Sequence, residues 1–386
     1  MYRRSARSLG LLSLLVVLAV ACAGPSAPTA KPAAPAAPPA QPTAPAQPAA
    51  APASGAAPAA QAYRPTPLSP AVKLKVGTVV STSDAGIFIG MDKGYFQEEG
   101  IELDTQTFQT GVAQIAPLGA GQLDIATGAI AAGLFNAIGR DVPLRVVADK
   151  GSTPSPEWDF NALMVRKDLI DSGRVRDYPD LKGLTIATTS KGNSTEVDVA
   201  KALEKGGLTW DDIEYTPLSF PDMITAFGNR AIDAAIVIEP YISRVENLGI
   251  AVRWRGTTEF YGNQQVAVIM YGPAFVAEQP EVARRWMIAY IRGVRAYNDA
   301  FGPKRQGRDE AVQILVKHTP IKDTADYERM RPAGLDPDGK VNLDSMRQDL
   351  TYYERAGLVS VPVDLAKVVD TSFQEYAVQR LGPYQR

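Results

Sequence analysis

The sequence predicts an α/β protein of two similar lobes, each a mixed, mostly parallel sheet flanked by helices, hung from a long tether. Three observations carry that expectation. Short apolar strands alternate with helical stretches from Val72 onward, the pattern of βαβ units whose sheets are covered on both faces. The alternation starts again near Gly183, and "GQLDIATGAI" (Gly121–Ile130) resembles "NRAIDAAIVI" (Asn229–Ile238). Ahead of both halves lies a stretch of alanine and proline that cannot build a core.

The N-terminus reads as a secretory signal, residues 1–21. Arg3, Arg4 and Arg7 precede an apolar run, Leu9–Val20, and small residues lead to Cys22, the only cysteine. The run is short for a membrane span. A small-residue site that ends on a cysteine is similar to the lipobox of bacterial lipoproteins, so Cys22 is expected to be lipidated, although Ala19 stands where leucine is usual. The other reading is an ordinary cleaved signal. Residues 22–67 form the Ala/Pro-rich tether, with Lys31 the one charge between Ala23 and Ala62. Extended chain of this kind reaches on the order of 100 Å, enough to hold a domain off a membrane. Disulfides, thiolate metal sites and cysteine catalysis are excluded from the mature body.

The body, residues 68–386, has room for roughly two domains. Net charge of the full chain is −2, from 40 basic and 42 acidic residues, and no basic block argues for nucleic acid. Its first half carries strands at Val72–Val80, Ile101–Phe108, Leu123–Gly128 and Leu144–Asp149, with helices at Ala85–Phe96, Val112–Gln122 (broken by Pro117) and Ala129–Gly139. The second half has strands at Gly183–Ser190, Ile213–Phe220 and Ala234–Pro240 around a helix at Ser194–Gly207 and another after Pro221. Asn161–Lys167 and Gln264–Gly272 are expected to cross between lobes as a hinge. The last stretches, Glu281–Phe301, Arg308–Lys317, Leu343–Ala356 and Asp364–Arg380, read as helices. The lobes divide as 68–162, 163–262 and 263–386, the last a return strand and helices that complete the first lobe. Asp124 and Asp233 sit where a helix hands over to a strand, and turn capping is preferred over ligand contact for both.

"GMDKGYFQEEGIELD", "LGAGQLDIATG", "DLKGLTIATTSKGNST" and "RAIDAAIVIEPY", in that order, resemble the solute-binding proteins of ABC importers. The nearest branch takes sulfonates, taurine, nitrate or thiamine-precursor pyrimidines, with riboflavin-binding relatives. The resemblance covers roughly Leu74–Ile242. It implies the periplasmic-binding-protein (Venus-flytrap) fold, a small ligand held between lobes, no cofactor, no metal, and no catalysis. It implies delivery to a permease and its ATPase by a monomer lipid-anchored on the extracytoplasmic face of the membrane.

Ligand candidates come from the loops after the strands. Ser83 and Asp84 open the first helix, where capping and ligand binding draw on the same backbone donors. Thr110, Gly128 and Ala129 lie beside the next strand tips; the small residues permit either a ligand or close packing. Ser190, Gly192, Asn193 and Ser194 form the matching loop of the second lobe, where the family places ligand, although Asn193 and Glu196 have capping-box spacing. Glu239 and Tyr241 end a second-lobe strand, and Glu239 is the family's acidic position. Trp158, Tyr261 and Asn263 flank the crossings, where aromatic rings either stack on ligand or pack. No arginine lies in these loops and two carboxylates do. That favours a heterocyclic vitamin-type ligand, thiamine-precursor pyrimidine or riboflavin, over sulfonates, taurine or nitrate. An enzyme like the related pyrimidine synthases would use histidine and cysteine. The one histidine, His318, instead suits a helix C-terminus, and no catalytic set is present. A tethered sensor would have the same fold.

Overall fold

A computed structural model describes residues 63–385; the signal, Cys22 and the tether to residue 62 lie outside the described residues. Ten strands form two five-stranded sheets. The first holds β1 (Val72–Thr78), β2 (Ile101–Thr107), β3 (Ile125–Ala129), β4 (Arg145–Thr153) and β10 (Gln264–Tyr271), in the order β2-β1-β3-β10-β4. The second holds β5 (Asn161–Arg166), β6 (Thr185–Thr188), β7 (Glu214–Pro217), β8 (Ala234–Ile238) and β9 (Ala251–Gly256), in the order β7-β6-β8-β5-β9.

The two orders are the same arrangement used twice. β1 pairs in parallel with β2 and β3, as β6 does with β7 and β8. In each sheet one strand then runs against its two neighbours, β10 in the first and β5 in the second. Those two strands are the ones the chain enters immediately after crossing between lobes. The crossings themselves are the segments 154–160, with a short helical turn at Pro156–Trp158, and 257–263, opened by the helix Thr257–Phe260. The stretches expected as the hinge, Asn161–Lys167 and Gln264–Gly272, are therefore mainly the sheet strands β5 and β10.

The repeat extends to side chains. Asp124 Oδ2 accepts the Lys75 N–H at 2.8 Å, while the Asp124 N–H donates to Lys75 O at 3.0 Å. Asp233 Oδ2 accepts the Thr185 N–H at 3.0 Å, and its own N–H donates to Thr185 O at 2.9 Å. Each aspartate clamps the backbone of the neighbouring parallel strand, at Lys75 inside β1 and at Thr185 at the start of β6, rather than its own turn as expected.

Central strands are apolar and buried on both faces, with β8 (AAIVI) and β10 almost wholly enclosed, as parallel-type sheets require. The helix Ala85–Asp92 packs against the long helix Pro280–Phe301, which in turn packs on Ser372–Leu381. The tail also reaches the second lobe. Tyr352, on the helix Leu343–Arg355, donates to Glu196 Oε1 at 2.9 Å, and Arg329 donates to Asn247 at 2.8 Å. The expected single helix Asp364–Arg380 is two, Leu365–Val368 and Ser372–Leu381. The edge strand β9 was not expected, because "AVRWRG" alternates charge with apolar residues. His318 does end a helix, Arg308–His318, where its Nε2 meets Asp92 Oδ1 at 2.8 Å and its ring stacks on Phe88. Among the described residues no helix is long and apolar enough to cross a membrane.

Candidate functional site

The tips of β1 and β3 in the first lobe face those of β6 and β8 in the second. After β1 the chain makes one tight turn, Thr82–Asp84, and enters the helix Ala85–Asp92. Asp84 is fully buried. Its Oδ2 accepts the Ser81 N–H at 3.0 Å and its Oδ1 accepts the Thr127 hydroxyl at 2.8 Å. The remaining partner is Lys150 on β4, whose Nζ lies 3.0 Å from Asp84 Oδ1 and donates to Ser83 Oγ at 2.8 Å. Ser83 and Ser81 hydroxyls share a further bond of 2.8 Å. Lys150 is only 1% exposed. Burial pushes its ammonium below the ordinary lysine value, and the Asp84 carboxylate opposes that shift.

The second lobe presents two loops. At the end of β8, Glu239 turns its carboxylate inward, where it accepts the Ser243 N–H at 3.0 Å and the Arg331 N–H at 3.3 Å. Arg253 on β9 stands 3.4 Å away and also donates to Asp159 O at 3.0 Å, tying the first crossing to the strand tip. Burial raises the Glu239 carboxyl, and Arg253 works against that rise. Tyr241 stacks on Phe220, ring centroids 5.7 Å apart. After β6, Asn193 Oδ1 accepts the Glu196 N–H at 3.1 Å, the expected cap. The Glu196 carboxylate bonds the N–H of Gly192, one residue earlier than the capping-box pattern places it. Gly192 has φ +74°, a conformation other residues rarely adopt.

The lobes touch at these tips. The Thr82 hydroxyl and N–H both donate to Glu239 O, at 3.0 and 3.4 Å. The Ala132 N–H donates to Gly192 O at 2.8 Å, and Ala131 bridges Asn193. Gln264 Nε2 reaches Ser194 O at 3.4 Å. The hydroxyls of Ser190 and Ser194 are buried there without a partner.

Other candidates lie elsewhere. Thr110 Oγ1 accepts the Ala113 N–H at 3.3 Å and shapes its own turn. Gly128 gives close approach to the backbone of Gly111, where an added Cβ would come within 2.8 Å of Gly111 O; its smallness serves packing. Ala129 pairs with Ala267 at the end of β3. Tyr261 is buried and donates to Asp349 Oδ1 at 2.6 Å, so it is fixed by the helix Leu343–Arg355 rather than held at the tips. Trp158 and Asn263 line a cavity of about 590 Å³ on the outer side of the crossings, with Trp158 tilted against Tyr297 at 6.3 Å.

Sequence reasoning missed Lys150 and Arg253, the cations paired with Asp84 and Glu239. The expectation of a vitamin-type heterocycle rested on those two carboxylates being free to face ligand. Each has a buried cation partner, so that ground is removed. The pairs were hidden because Lys150 lies 66 residues from Asp84 in an apolar strand. A lysine inside "RVVADKGST" was the available signal, since a buried ammonium needs an acid.

The two-lobed fold with opposed strand tips is that of the periplasmic solute-binding proteins. Its sequence model matches residues 68–316, and the chain belongs to the NMT1-like family. A protein of Escherichia coli (strain K12) named for proposed binding of aliphatic sulfonates is 27% identical, covering 67% of this chain and 76% of its own. The nitrate-binding protein NrtA of Synechocystis PCC 6803 superposes with TM-score 0.68 at 17% identity, covering 81% of this chain and 89% of its own. The alkanesulfonate-binding protein SsuA of Xanthomonas axonopodis pv. citri, solved with MOPS, gives TM-score 0.62 at 18% identity, covering 78% and 98%. The solved structures thus show that the chain has the fold of the solute-binding proteins of ABC importers.

Proposed function

We propose that this protein captures a small oxyanion, of the sulfonate, taurine or nitrate kind, between its strand tips and delivers it to a permease and its ATPase. It acts as a monomer, anchored through lipidated Cys22 outside the cytoplasmic membrane. The observation that carries the ligand class is the first-lobe tip. Hydroxyls of Ser81 and Ser83 surround a Lys150–Asp84 pair of no net charge, and Thr82 beside them directs two donors at a carbonyl oxygen of the facing lobe. A sulfonate or nitrate oxygen is an acceptor of the same kind. The names of the relatives point the same way. Of the tip residues, we assign to the ligand Ser83, Ser190, Gly192, Asn193, Ser194 and Tyr241.

Titration calorimetry of the full chain against ethanesulfonate, taurine, nitrate, riboflavin and a thiamine-precursor pyrimidine tests this reading. One of the first three is expected to bind, and Ser83→Ala to weaken it about fivefold, the effect of one hydrogen bond of about 1 kcal/mol. Binding of riboflavin or the pyrimidine alone overturns the oxyanion reading. Retention of Cys22→Ser in the membrane fraction overturns the anchor.

A further inference from the structure

The floor between the lobes holds a buried acid with no cation. Asp198, on the helix Ser194–Lys205, is fully buried, as are Asn161 at the start of β5 and Gln264 at the start of β10. Asn161 Nδ2 donates to Asp198 Oδ2 at 2.8 Å. Asp198 Oδ1, Asn161 Oδ1 and Gln264 Oε1 have no partner, and all three are acceptors. Buried polar atoms are nearly always paired. Three unpaired acceptors around a single N–H···O bond lack one thing in common, a donor.

The surroundings offer no positive charge to do that work. The charged groups that bear on Asp198 are themselves acids, Asp349 and Asp159, and only the amides of Asn161 and Gln264 favour its ionised form. Asp349 comes from the helix Leu343–Arg355 and takes the Tyr261 hydroxyl; Asp159 comes from the first crossing and takes Thr258. On the same helix, Glu196 is bonded by Gly192 and Tyr352, and Lys201 turns outward to Glu204 at 3.0 Å, its charge bearing on Asp349. Strands β6 and β8 contribute no titratable side chain, and the tyrosine of β10, Tyr271, bonds Ala283 O. From the remaining neighbours, Glu259 caps Gly256, Asp180 caps its own turn, and the Tyr178 ring packs on Trp254 and Phe260. Tyr353 donates to Ile130 O.

We propose that Asp198 carries a proton while the lobes are closed, its Oδ1–H donating to Asn161 Oδ1 to complete an acid–amide ring, and gives it up when they part. Asn161 and Asp198 belong to the second lobe, whereas Gln264, which covers them, belongs to the first-lobe sheet. Opening withdraws that cover and admits water, which solvates the carboxylate. Burial raises the Asp198 carboxyl well above its ordinary value, consistent with this arrangement. Sign follows from linkage. The closed state binds the extra proton, so closure is fully favoured below the open-state value of about 4. It weakens by up to about tenfold per pH unit as pH rises toward the closed-state value. Low pH therefore closes the protein and neutral or alkaline pH loosens it, whatever ligand it takes.

The test uses the ligand-free full chain and the isosteric variant Asp198→Asn, with Asp349→Asn as control. Small-angle scattering from about pH 5 to about pH 8 should show wild type and Asp349→Asn expanding as pH rises, while Asp198→Asn stays compact. The same expansion in Asp198→Asn overturns the proposal. If that variant does not fold, the other two decide: pH-dependent expansion in both supports the latch, and its absence in wild type overturns it.

Discussion

The two lobes share a sheet order and an aspartate clamp, and each pairs a strand-tip acid with a cation, yet the second adds a buried acid, Asp198, that has none. The first lobe neutralises Asp84 with Lys150 and adds hydrogen bonds from Ser81 and Thr127. The second pairs Glu239 with Arg253 but leaves Asp198 with amide partners and no cation. An ion pair holds its charges at any ordinary pH, whereas a lone carboxyl must take up a proton. Duplication fixed the architecture in both halves; the chemistry of each tip was set separately. The first-lobe tip is thus a hydroxyl-lined surface around an ion pair, and the second lobe holds the acid whose proton we propose to couple to closure.

The largest expected effect breaks the first-lobe ion pair. Lys150→Met leaves Asp84 buried and unpaired, and should destabilise the protein by about 3–5 kcal/mol in urea unfolding. Adding Asp84→Asn should recover most of that loss. If Lys150→Met unfolds like wild type, Asp84 is not held by charge pairing.

A second test separates acids within the first lobe from the acid between lobes. Burial pushes the Asp149 carboxyl up to about 7, against the N–H donors of Asp336 and Gly151 and the Gln265 amide. Its folded value lies above the unfolded value of about 4, so its contribution is complete below about pH 4 and is lost as pH rises to about 7. The urea midpoint should fall over that window, and Asp149→Asn should reduce the slope without altering the scattering profile assigned to Asp198. An unchanged slope would place the titration elsewhere.

The smallest effect concerns what the lobes share. Asp124→Ala and Asp233→Ala each remove one strand clamp, and each should cost about 1 kcal/mol. Asp233 also pairs with Arg166 at 2.9 Å, so its loss should be the slightly larger. A several-fold disparity would show that the clamps are alike only in geometry.

The duplicated fold was legible because it is written in local signals. Apolar strands such as "LDIATG" and "AAIVI" recur with turn residues between them, and Asn193 with Glu196 marks a helix start within four residues. Asp124 and Asp233 were readable as backbone acceptors, but not their partners, Lys75 and Thr185, 49 and 48 residues away. What stayed hidden depends on residues far apart in the chain. Lys150 meets Asp84 and Asn161 meets Asp198 only once their own lobe is assembled. Arg253 on β9 reaches Glu239 at the end of β8 only because β5, entered from the first lobe, lies between those strands. The edge strand β9 was missed because arginines interrupt its apolar pattern, and Tyr261 looked like a ligand contact because nothing local shows Asp349 waiting for its hydroxyl.

The account's central claim is that ligand is held between the strand tips of both lobes. Amide hydrogen exchange of the full chain, with and without the compound that binds in calorimetry, tests it most directly. Protection should rise together at Ser81–Asp84 and at Ser190–Ser194. Protection confined to the outer cavity beside Trp158 and Asn263, with both tips unchanged, would contradict it.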